Sequence, residues 1–142
     1  MPDVLFLCTG NSCRSQMAEG WLRHLAGDRF HAWSAGLKPG IVHPLAIEAM
    51  REIGVDISGQ RSKDVASLLG RHFSHIITVC DRAQQNCPIF PGPSLREHWP
   101  IEDPATAEGS HDERVRVFRN VCDEIGERVR RFIAAHTEGP SS

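Results

Sequence analysis

The feature that most constrains the fold is an apolar run that leads directly into a short polar loop and then into a helix. Residues 3–8 read DVLFLC, which is typical of a buried strand, and the loop TGNSCR follows without a break. From residue 15 to residue 26 the apolar side chains recur at helical spacing, and Gly27 stands just past the end. A strand joined to a helix in this way indicates an α/β protein.

The alternation of strands and helices continues along the chain. Further strands are predicted at 30–34, 74–80 and 95–99, and further helices at 43–53, 62–69 and 110–133. The last helix begins with Ser110 and Glu113, which form the pattern of a capping box. We therefore predict one domain over residues 1–136, with a four-stranded parallel sheet flanked by helices on both faces, and a flexible tail at 137–142.

Composition narrows the range of partners. The 142 residues carry a net charge of −2, which gives no general attraction to nucleic acid or to an anionic membrane. No apolar run approaches the roughly 18 to 20 residues of a membrane span, and the N-terminus lacks the basic region of a signal peptide. The five cysteines are odd in number and dispersed, so we expect a cytoplasmic protein with free thiols, and the length suits a monomer.

Three side chains with reactive groups are predicted to meet at one edge of the sheet. Cys8 ends the first predicted strand, Cys80 ends the third, and Asp103 lies in the loop after the fourth. In parallel sheets, ligand sites form beyond the carboxyl ends of the strands. This edge is therefore the predicted location of the functional site.

The first loop has the residues needed to hold an oxyanion beside a nucleophile. Cys8 and Arg14 have the spacing C-x5-R, and Arg14 offers a planar set of donors that suits a tetrahedral oxyanion. Gly10 permits a positive φ and a close approach of backbone N–H groups to the anion at the start of the helix. The same positive field is expected to lower the pKa of the Cys8 thiol. The predicted substrate-binding residues are Cys8, Thr9, Gly10, Asn11, Ser12, Cys13, Arg14 and Ser15.

The stretch CTGNSCRSQMAEGW resembles the phosphate-binding loop of the low-molecular-weight protein tyrosine phosphatases and of their relatives, the thioredoxin-coupled arsenate reductases. The resemblance covers nearly the whole chain and includes SAG at 34–36, HPLAIEAM at 43–50 and HWPIEDPA at 98–105. It implies that Cys8 is the nucleophile, Arg14 the oxyanion clamp and Asp103 the general acid. It also implies the parallel four-stranded sheet.

Two further cysteines favour the reductase over the phosphatase. Cys80 and Cys87 lie in the stretch VCDRAQQNCP, and two thiols that form one disulfide release the two electrons that convert arsenate to arsenite. The predicted relay runs from Cys8 to Cys80 to Cys87. By resemblance, the last disulfide is reduced by thioredoxin, although a glutaredoxin-type system could reduce the same bond.

A tyrosine phosphatase with incidental cysteines is the main alternative. In that family, aromatic residues typically follow the catalytic Asp-Pro pair and enclose the phosphotyrosine ring. Here Ala105 follows the pair, the chain has no tyrosine, and Trp99 alone could form a wall. A second alternative is a non-enzymatic oxyanion sensor that signals through thiol oxidation.

The spacing of the last two cysteines predicts a conformational change. If residues 81–86 are helical, Cys80 and Cys87 lie about 10.5 Å apart along the axis at about 1.5 Å per residue. A disulfide tolerates at most about 7 Å between Cα atoms. The segment is therefore predicted to unwind during turnover.

Neither a tightly bound cofactor nor a metal site is predicted. Three residues match positions at which some members of the reductase family hold a potassium ion: Asn11, Glu19 and Ser34. The resemblance implies an aspartate as the fourth ligand, whereas this chain has Lys63 at that place and Asp64 one position later. Our hypothesis is that the Lys63 ammonium takes the place of the ion, so that activity does not require potassium.

The two remaining cysteines have open or structural roles. Cys13 could form a protective disulfide with Cys8 under oxidants, but packing beneath the loop is the favoured interpretation. Cys122 lies among apolar residues of the last helix and is predicted to be buried in the core.

Overall fold

The computed structural model describes residues 1–136, and the predicted tail at 137–142 lies outside the described residues. The strands are β1 (Asp3–Cys8), β2 (His31–Gly36), β3 (His75–Thr78) and β4 (Leu95–His98). The α-helices are α1 (Arg14–Ala26), α2 (Pro44–Glu52), α3 (Asp81–Gln85) and α4 (His111–His136). Two 3-10 turns, Val65–Leu68 and Pro104–Thr106, lie in the connections.

The four strands form one parallel sheet in the order β2-β1-β3-β4. Cys8 lies opposite Gly36 at the end of β2, and Thr78 lies opposite both Leu7 and His98. The carboxyl ends of the strands therefore meet at one edge. The predicted α/β class and the parallel four-stranded sheet are confirmed.

Helices cover both faces of the sheet, but unequally. On one face α1, α2 and α4 contact one another, and Phe132 of α4 packs edge-on against His75 of β3 at 5.0 Å between ring centroids. On the other face the short α3 contacts β1 and β3. There Phe73 packs edge-on against both Trp33 and Phe90. The face of the sheet on which α3 lies is therefore covered by less helix than the opposite face.

The long helix α4 fixes the position of α1, which carries the candidate site at its N-terminus. Its capping box forms as predicted, with Ser110 Oγ accepting a hydrogen bond from the Glu113 N–H at 3.1 Å. A Cβ on Gly126 would lie 2.6 Å from the Trp21 ring of α1, so glycine permits the close approach of the two helices. Although α4 has 26 residues, no helix in the described part of the chain is long and apolar enough to cross a membrane.

Two differences from the sequence prediction bear on the site. The third strand ends at Thr78, and Cys80 is the N-cap of α3, with its Sγ accepting a hydrogen bond from the Ala83 N–H at 3.4 Å. The predicted helix at 62–69 is wrong, because only the 3-10 turn Val65–Leu68 forms there. The Lys63 carbonyl accepts a hydrogen bond from the Gly36 N–H at 2.8 Å, so this backbone serves tertiary contacts instead of a helix.

Candidate active site

The loop between β1 and α1 directs its backbone carbonyls outward. The carbonyl oxygens of residues 8–10 accept hydrogen bonds of 2.8–3.1 Å from N–H groups in the segment 37–40. Gly36 permits this approach, because a Cβ there would lie 2.6 Å from the Thr9 oxygen and 2.9 Å from the Asn11 nitrogen. With the carbonyls turned away, the N–H groups of the loop can surround an anion at the start of α1.

Asn11 holds the loop in shape. Its φ is +49°, whereas Gly10 does not have a positive φ, so the left-handed residue falls one position later than predicted. The Asn11 Nδ2 donates to Ser15 Oγ at 2.8 Å, and its Oδ1 accepts from the Lys63 N–H at 2.8 Å. These bonds and full burial stabilise a backbone conformation that non-glycine residues rarely adopt.

Cys8 is buried at the base of the loop and has a raised thiol pKa. Its Sγ lies 2.8 Å from Ser15 Oγ and accepts a hydrogen bond from the Asn11 N–H at 3.1 Å. Burial raises the pKa of the Cys8 thiol more than these hydrogen bonds and the Arg14 charge lower it. The predicted lowering of this pKa is therefore wrong, because the sulfur lies deeper in the protein than its position next to a loop indicated.

Arg14 and Asp103 lie together at the same edge of the sheet. Arg14 Nη1 donates to the Ile101 carbonyl at 3.0 Å and to the Val79 carbonyl at 3.5 Å. Arg14 Nη2 lies 3.7 Å from Asp103 Oδ2. The other carboxylate oxygen of Asp103 accepts a hydrogen bond from the Ala105 N–H at 3.0 Å. With 37% of its side chain exposed, Asp103 can exchange a proton with solvent while it faces Arg14.

Cys80 lies beside the anion loop. Its Sγ is 3.3 Å from Thr9 Oγ1, although Thr9 and Cys80 are 71 residues apart in sequence. Arg14 and Cys80 line the same cleft of about 420 Å³, together with Asp81 and residues 100–102. The structure therefore brings Arg14, Cys80, Asp103 and the Cys8 loop to one edge of the sheet.

Cys87 lies beyond the other end of α3 and is half-buried. Its Sγ accepts a hydrogen bond from Arg96 Nη1 at 3.0 Å. All five cysteines are free thiols. The helical rise of α3 separates its N-cap Cys80 from its C-cap Asn86 by about 9 Å. A disulfide between Cys80 and Cys87 therefore requires α3 to change, because its Cα atoms must come within about 7 Å.

The residues that match a potassium site lie together around the Glu19 carboxylate. Glu19 is buried, with Oε2 2.7 Å from Arg23 Nη2, while Oε1 accepts from Ser34 Oγ at 2.6 Å and lies 3.5 Å from Lys63 Nζ. Asp64 turns away and caps the following 3-10 turn. Two cationic side chains already face the Glu19 carboxylate. Within residues 1–136, no cluster of three His, Cys, Asp or Glu residues could hold a metal ion.

Three residues with open roles in the sequence pack into the core. Cys13 is 3% exposed, and burial raises its pKa to about 12. Burial also raises the pKa of Cys122 to about 11, and its Sγ lies 3.4 Å from Met50 Sδ. Trp99 is 5% exposed and packs 5.6 Å from the Phe6 ring, so it cannot present a face to a phosphotyrosine.

Two residues that contact the cysteine segment were not predicted from the sequence. Arg96 contacts Cys87, and His98 contacts Asp81, the residue that follows Cys80. Arg96 belongs to no recognisable motif, and His98 opens the stretch HWPIEDPA but was given no role there. The signal that could have found them is the strand alternation of β4, which places both side chains on one face of the sheet.

The fold and the loop define a class of proteins that bind a tetrahedral oxyanion at a helix N-terminus next to a cysteine thiol. The model of the low molecular weight phosphotyrosine protein phosphatase family matches residues 3–139. The chain belongs to this family.

Several proteins similar to this chain are named arsenate reductases. The chain is 47% identical over 129 residues to an arsenate reductase of Bacillus licheniformis, covering 91% of this chain and 93% of that protein. A solved structure of an arsenate reductase in the phosphate binding state is 36% identical, with a TM-score of 0.76 over 95% of this chain and 98% of that one. A thioredoxin-dependent arsenate reductase of Corynebacterium glutamicum is 30% identical, with a TM-score of 0.72 over 95% of this chain and 61% of its own.

Proposed function

We propose that this protein reduces arsenate to arsenite by a relay through Cys8, Cys80 and Cys87, and that thioredoxin reduces the final disulfide. The names of the relatives support the reaction, and the C. glutamicum structure supports the reductant. One observation favours this function over phosphate-ester hydrolysis: the Cys80 thiol lies at the anion loop, 3.3 Å from Thr9. Hydrolysis uses no second thiol, whereas reduction requires one.

In the proposed mechanism, the Arg14 guanidinium and the N–H groups of the loop bind the arsenate oxygens, apart from the Asn11 N–H, which donates to Cys8 Sγ. Arg14 has five N–H donors, and the bonds to the Ile101 and Val79 carbonyls use only Nη1. The guanidinium therefore keeps donors for the anion while these two carbonyls fix its plane. Phosphate has the same shape and charge and would occupy the same loop.

The first chemical step forms a bond between sulfur and arsenic. Cys8 transfers its proton to an oxygen of the bound arsenate dianion and attacks the arsenic atom, while Ser15 Oγ and the Asn11 N–H stabilise the thiolate. Asp103 protonates the departing oxygen, which leaves as water. Arsenic remains in the +5 state at this point, since one As–O bond has been exchanged for one As–S bond.

The second step is the reduction itself. The Cys80 thiolate attacks Cys8 Sγ and forms a disulfide, and the As–S bond breaks with its electron pair on arsenic. Arsenic thereby changes from +5 to +3 and leaves as arsenite. The two thiols supply these two electrons and are themselves oxidised to one disulfide.

The third step regenerates the nucleophile. The Cys87 thiolate attacks Cys80 Sγ, and Cys8 leaves as a thiolate. Because α3 separates the two sulfurs, this step requires the segment to unwind, which carries the oxidised pair away from the loop. The dithiol of thioredoxin then reduces the disulfide by exchange.

The relay needs free thiols, so we also infer a cytoplasmic enzyme, and we expect it to act as a monomer. No step of the relay as proposed uses a residue from a second subunit.

Single cysteine-to-serine variants test the relay. With thioredoxin, thioredoxin reductase and NADPH, Cys8→Ser should produce no arsenite and cleave no phosphate ester. Cys80→Ser should produce no arsenite yet cleave a phosphate ester, since it lacks only the electron donor. Cys87→Ser should release one arsenite per enzyme and then stop with Cys8 bonded to Cys80.

Cys122→Ser is the matched control, because its Sγ packs against Met50 away from the loop. It should turn over continuously. Continuous arsenite production by Cys80→Ser would contradict the relay. Phosphate-ester cleavage by the wild type without any arsenite production would favour a phosphatase whose second thiol is incidental. Arsenite production that proceeds with glutaredoxin and glutathione, but not with thioredoxin, would retain the relay and replace the proposed reductant.

A further inference from the structure

We propose that Arg96 and His98 act as positioning residues that hold the redox segment, residues 80–88, in its reduced conformation and so weaken the disulfide between Cys80 and Cys87. This inference rests on the proposed relay. Both residues lie on β4, at positions i and i+2, and therefore point to the same face of the sheet. That face lies under α3.

Arg96 holds the C-terminal end of the redox segment. Its Nη1 donates to Cys87 Sγ at 3.0 Å and its Nη2 donates to the Pro88 carbonyl at 3.3 Å. The two bonds come from one planar group, so they fix both the sulfur and the backbone that follows it. A hydrogen bond from a charged donor is stronger than a neutral one.

His98 holds the N-terminal end. Its Nε2 lies 3.2 Å from Asp81 Oδ1, and Asp81 is the first residue of α3, directly after Cys80. Its Nδ1 lies 2.8 Å from Thr78 Oγ1 of β3, which fixes the plane of the ring. Between the two contacts lies a cleft of about 410 Å³, lined in part by Gln84 and Cys87.

The contact between Arg96 and the Cys87 sulfur can exist only in the reduced protein. Disulfide formation draws Cys87 toward Cys80 across the length of α3. It also converts a thiol or thiolate into a disulfide sulfur, which is a weaker hydrogen-bond acceptor. A contact made by only one of two states shifts the equilibrium toward that state. Arg96 and His98 therefore favour the dithiol, which assists the reductant in the last step of the cycle.

The test measures the equilibrium between dithiol and disulfide in the full chain. The protein is equilibrated with mixtures of reduced and oxidised dithiothreitol, quenched with acid and alkylated. The disulfide between Cys80 and Cys87 is then quantified by peptide mass spectrometry. Arg96→Met should raise the equilibrium constant for disulfide formation by about three- to tenfold, the range expected for the loss of one ordinary hydrogen bond. Arg96→Lys, which keeps a charged donor, should lie between Arg96→Met and the wild type.

The control is Arg82→Met, which removes an arginine from α3 itself but leaves the contact between Arg96 and Cys87 in place. Its equilibrium constant should match that of the wild type, since a general effect of charge or of stability would appear here as well. His98→Gln is the second variant, and it should raise the constant without touching Cys87. Faster amide exchange at residues 81–88 of reduced Arg96→Met, with unchanged exchange in β1, should accompany the shift.

An equilibrium constant for disulfide formation that is unchanged in both Arg96→Met and His98→Gln would overturn the inference. An equal rise of this equilibrium constant in Arg82→Met would overturn it as well. These outcomes leave the relay intact, because the disulfide still forms. If the wild-type protein forms no disulfide between Cys80 and Cys87 in any buffer, the relay itself is wrong, and this inference falls with it.

Discussion

Ser15→Ala tests how the buried Cys8 thiol becomes reactive. The Asn11 Nδ2 donates to Ser15 Oγ at 2.8 Å, so the hydroxyl hydrogen of Ser15 is directed elsewhere, and Cys8 Sγ lies 2.8 Å away. A thiolate can only accept, so Ser15 Oγ is the donor to the sulfur once Cys8 is ionised, and this charge-assisted bond stabilises the thiolate. The hydroxyl is fully buried, so no solvent replaces it at once when it is removed.

The expected effect follows from the cost of losing one charge-assisted hydrogen bond. Such a bond contributes about 1.5 to 3 kcal/mol, which corresponds to about 10- to 100-fold in the thiolate population at a fixed pH below the thiol pKa. Burial already raises the pKa of Cys8, and Ser15→Ala should raise it further, since the hydrogen bond from Ser15 lowers it. At neutral pH, kcat/KM for arsenate should fall by about the same 10- to 100-fold.

The assay compares two pH profiles: the rate of Cys8 alkylation by iodoacetamide, and kcat/KM for arsenate. Because the thiolate is the reactive form, both should rise with pH, and both should be displaced to higher pH in Ser15→Ala. Ser12→Ala is the matched control, since Ser12 Oγ contacts Cys13 Sγ at 3.6 Å and belongs to the same loop. The reasoning is refuted if the Ser15→Ala and Ser12→Ala profiles coincide.

Three further variants extend the tests. Asp103→Asn keeps the shape of the side chain but removes the carboxyl group that donates the proton. The value of kcat should therefore fall by about 10²- to 10⁴-fold, with arsenate binding nearly unchanged. A fall of less than about threefold would exclude Asp103 as the general acid. Exchanging sodium for potassium should leave turnover of the wild type unchanged, because the Lys63 ammonium lies 3.5 Å from Glu19. Lys63→Asp should make turnover depend on potassium. A strong dependence on potassium in the wild type would contradict the hypothesis. Ser110→Ala removes the capping box of α4 and should lower the free energy of unfolding of the domain by about 1 kcal/mol, measured by urea titration. An unchanged free energy of unfolding would show that tertiary packing alone fixes the start of α4.

Much of the fold could be predicted because its signals are local. The apolar run that ends at Cys8, the helical spacing after it and the capping box at Ser110 each specify an element without reference to distant residues. The helix predicted at 62–69 does not form, because the conformation of this segment depends on distant residues and not on local signals. Its backbone is held by tertiary bonds to Gly36 and Asn11, residues that are distant in sequence. Nothing in the local pattern carries that information.

The candidate site also combines features that local sequence signals predict with features that depend on distant residues. The loop residues and the edge at which they gather follow from the motif and from the parallel topology. The raised pKa of Cys8 could not be predicted, because burial depends on how the rest of the chain packs over the sulfur. The same holds for Trp99, whose ring packs into the core against Phe6. Distances across the edge, such as that from Thr9 to Cys80, required the structure.

The shortest α-helix within residues 1–136 lies in the segment that the proposed chemistry must rearrange. The loop alone would let Cys8 attack arsenic or phosphorus, so the second attack decides the outcome. Attack of water on phosphorus completes hydrolysis, whereas attack of Cys80 on the Cys8 sulfur completes the proposed reduction. Because β3 ends at Thr78, Cys80 belongs to the α3 segment and can move with it. A helix of five residues is unstable in isolation and depends on its contacts, of which those from Arg96 and His98 come from β4 at the edge of the sheet. A rigid sheet can therefore keep Cys8 and Arg14 in place while the adjacent segment unwinds to carry the oxidised sulfurs away.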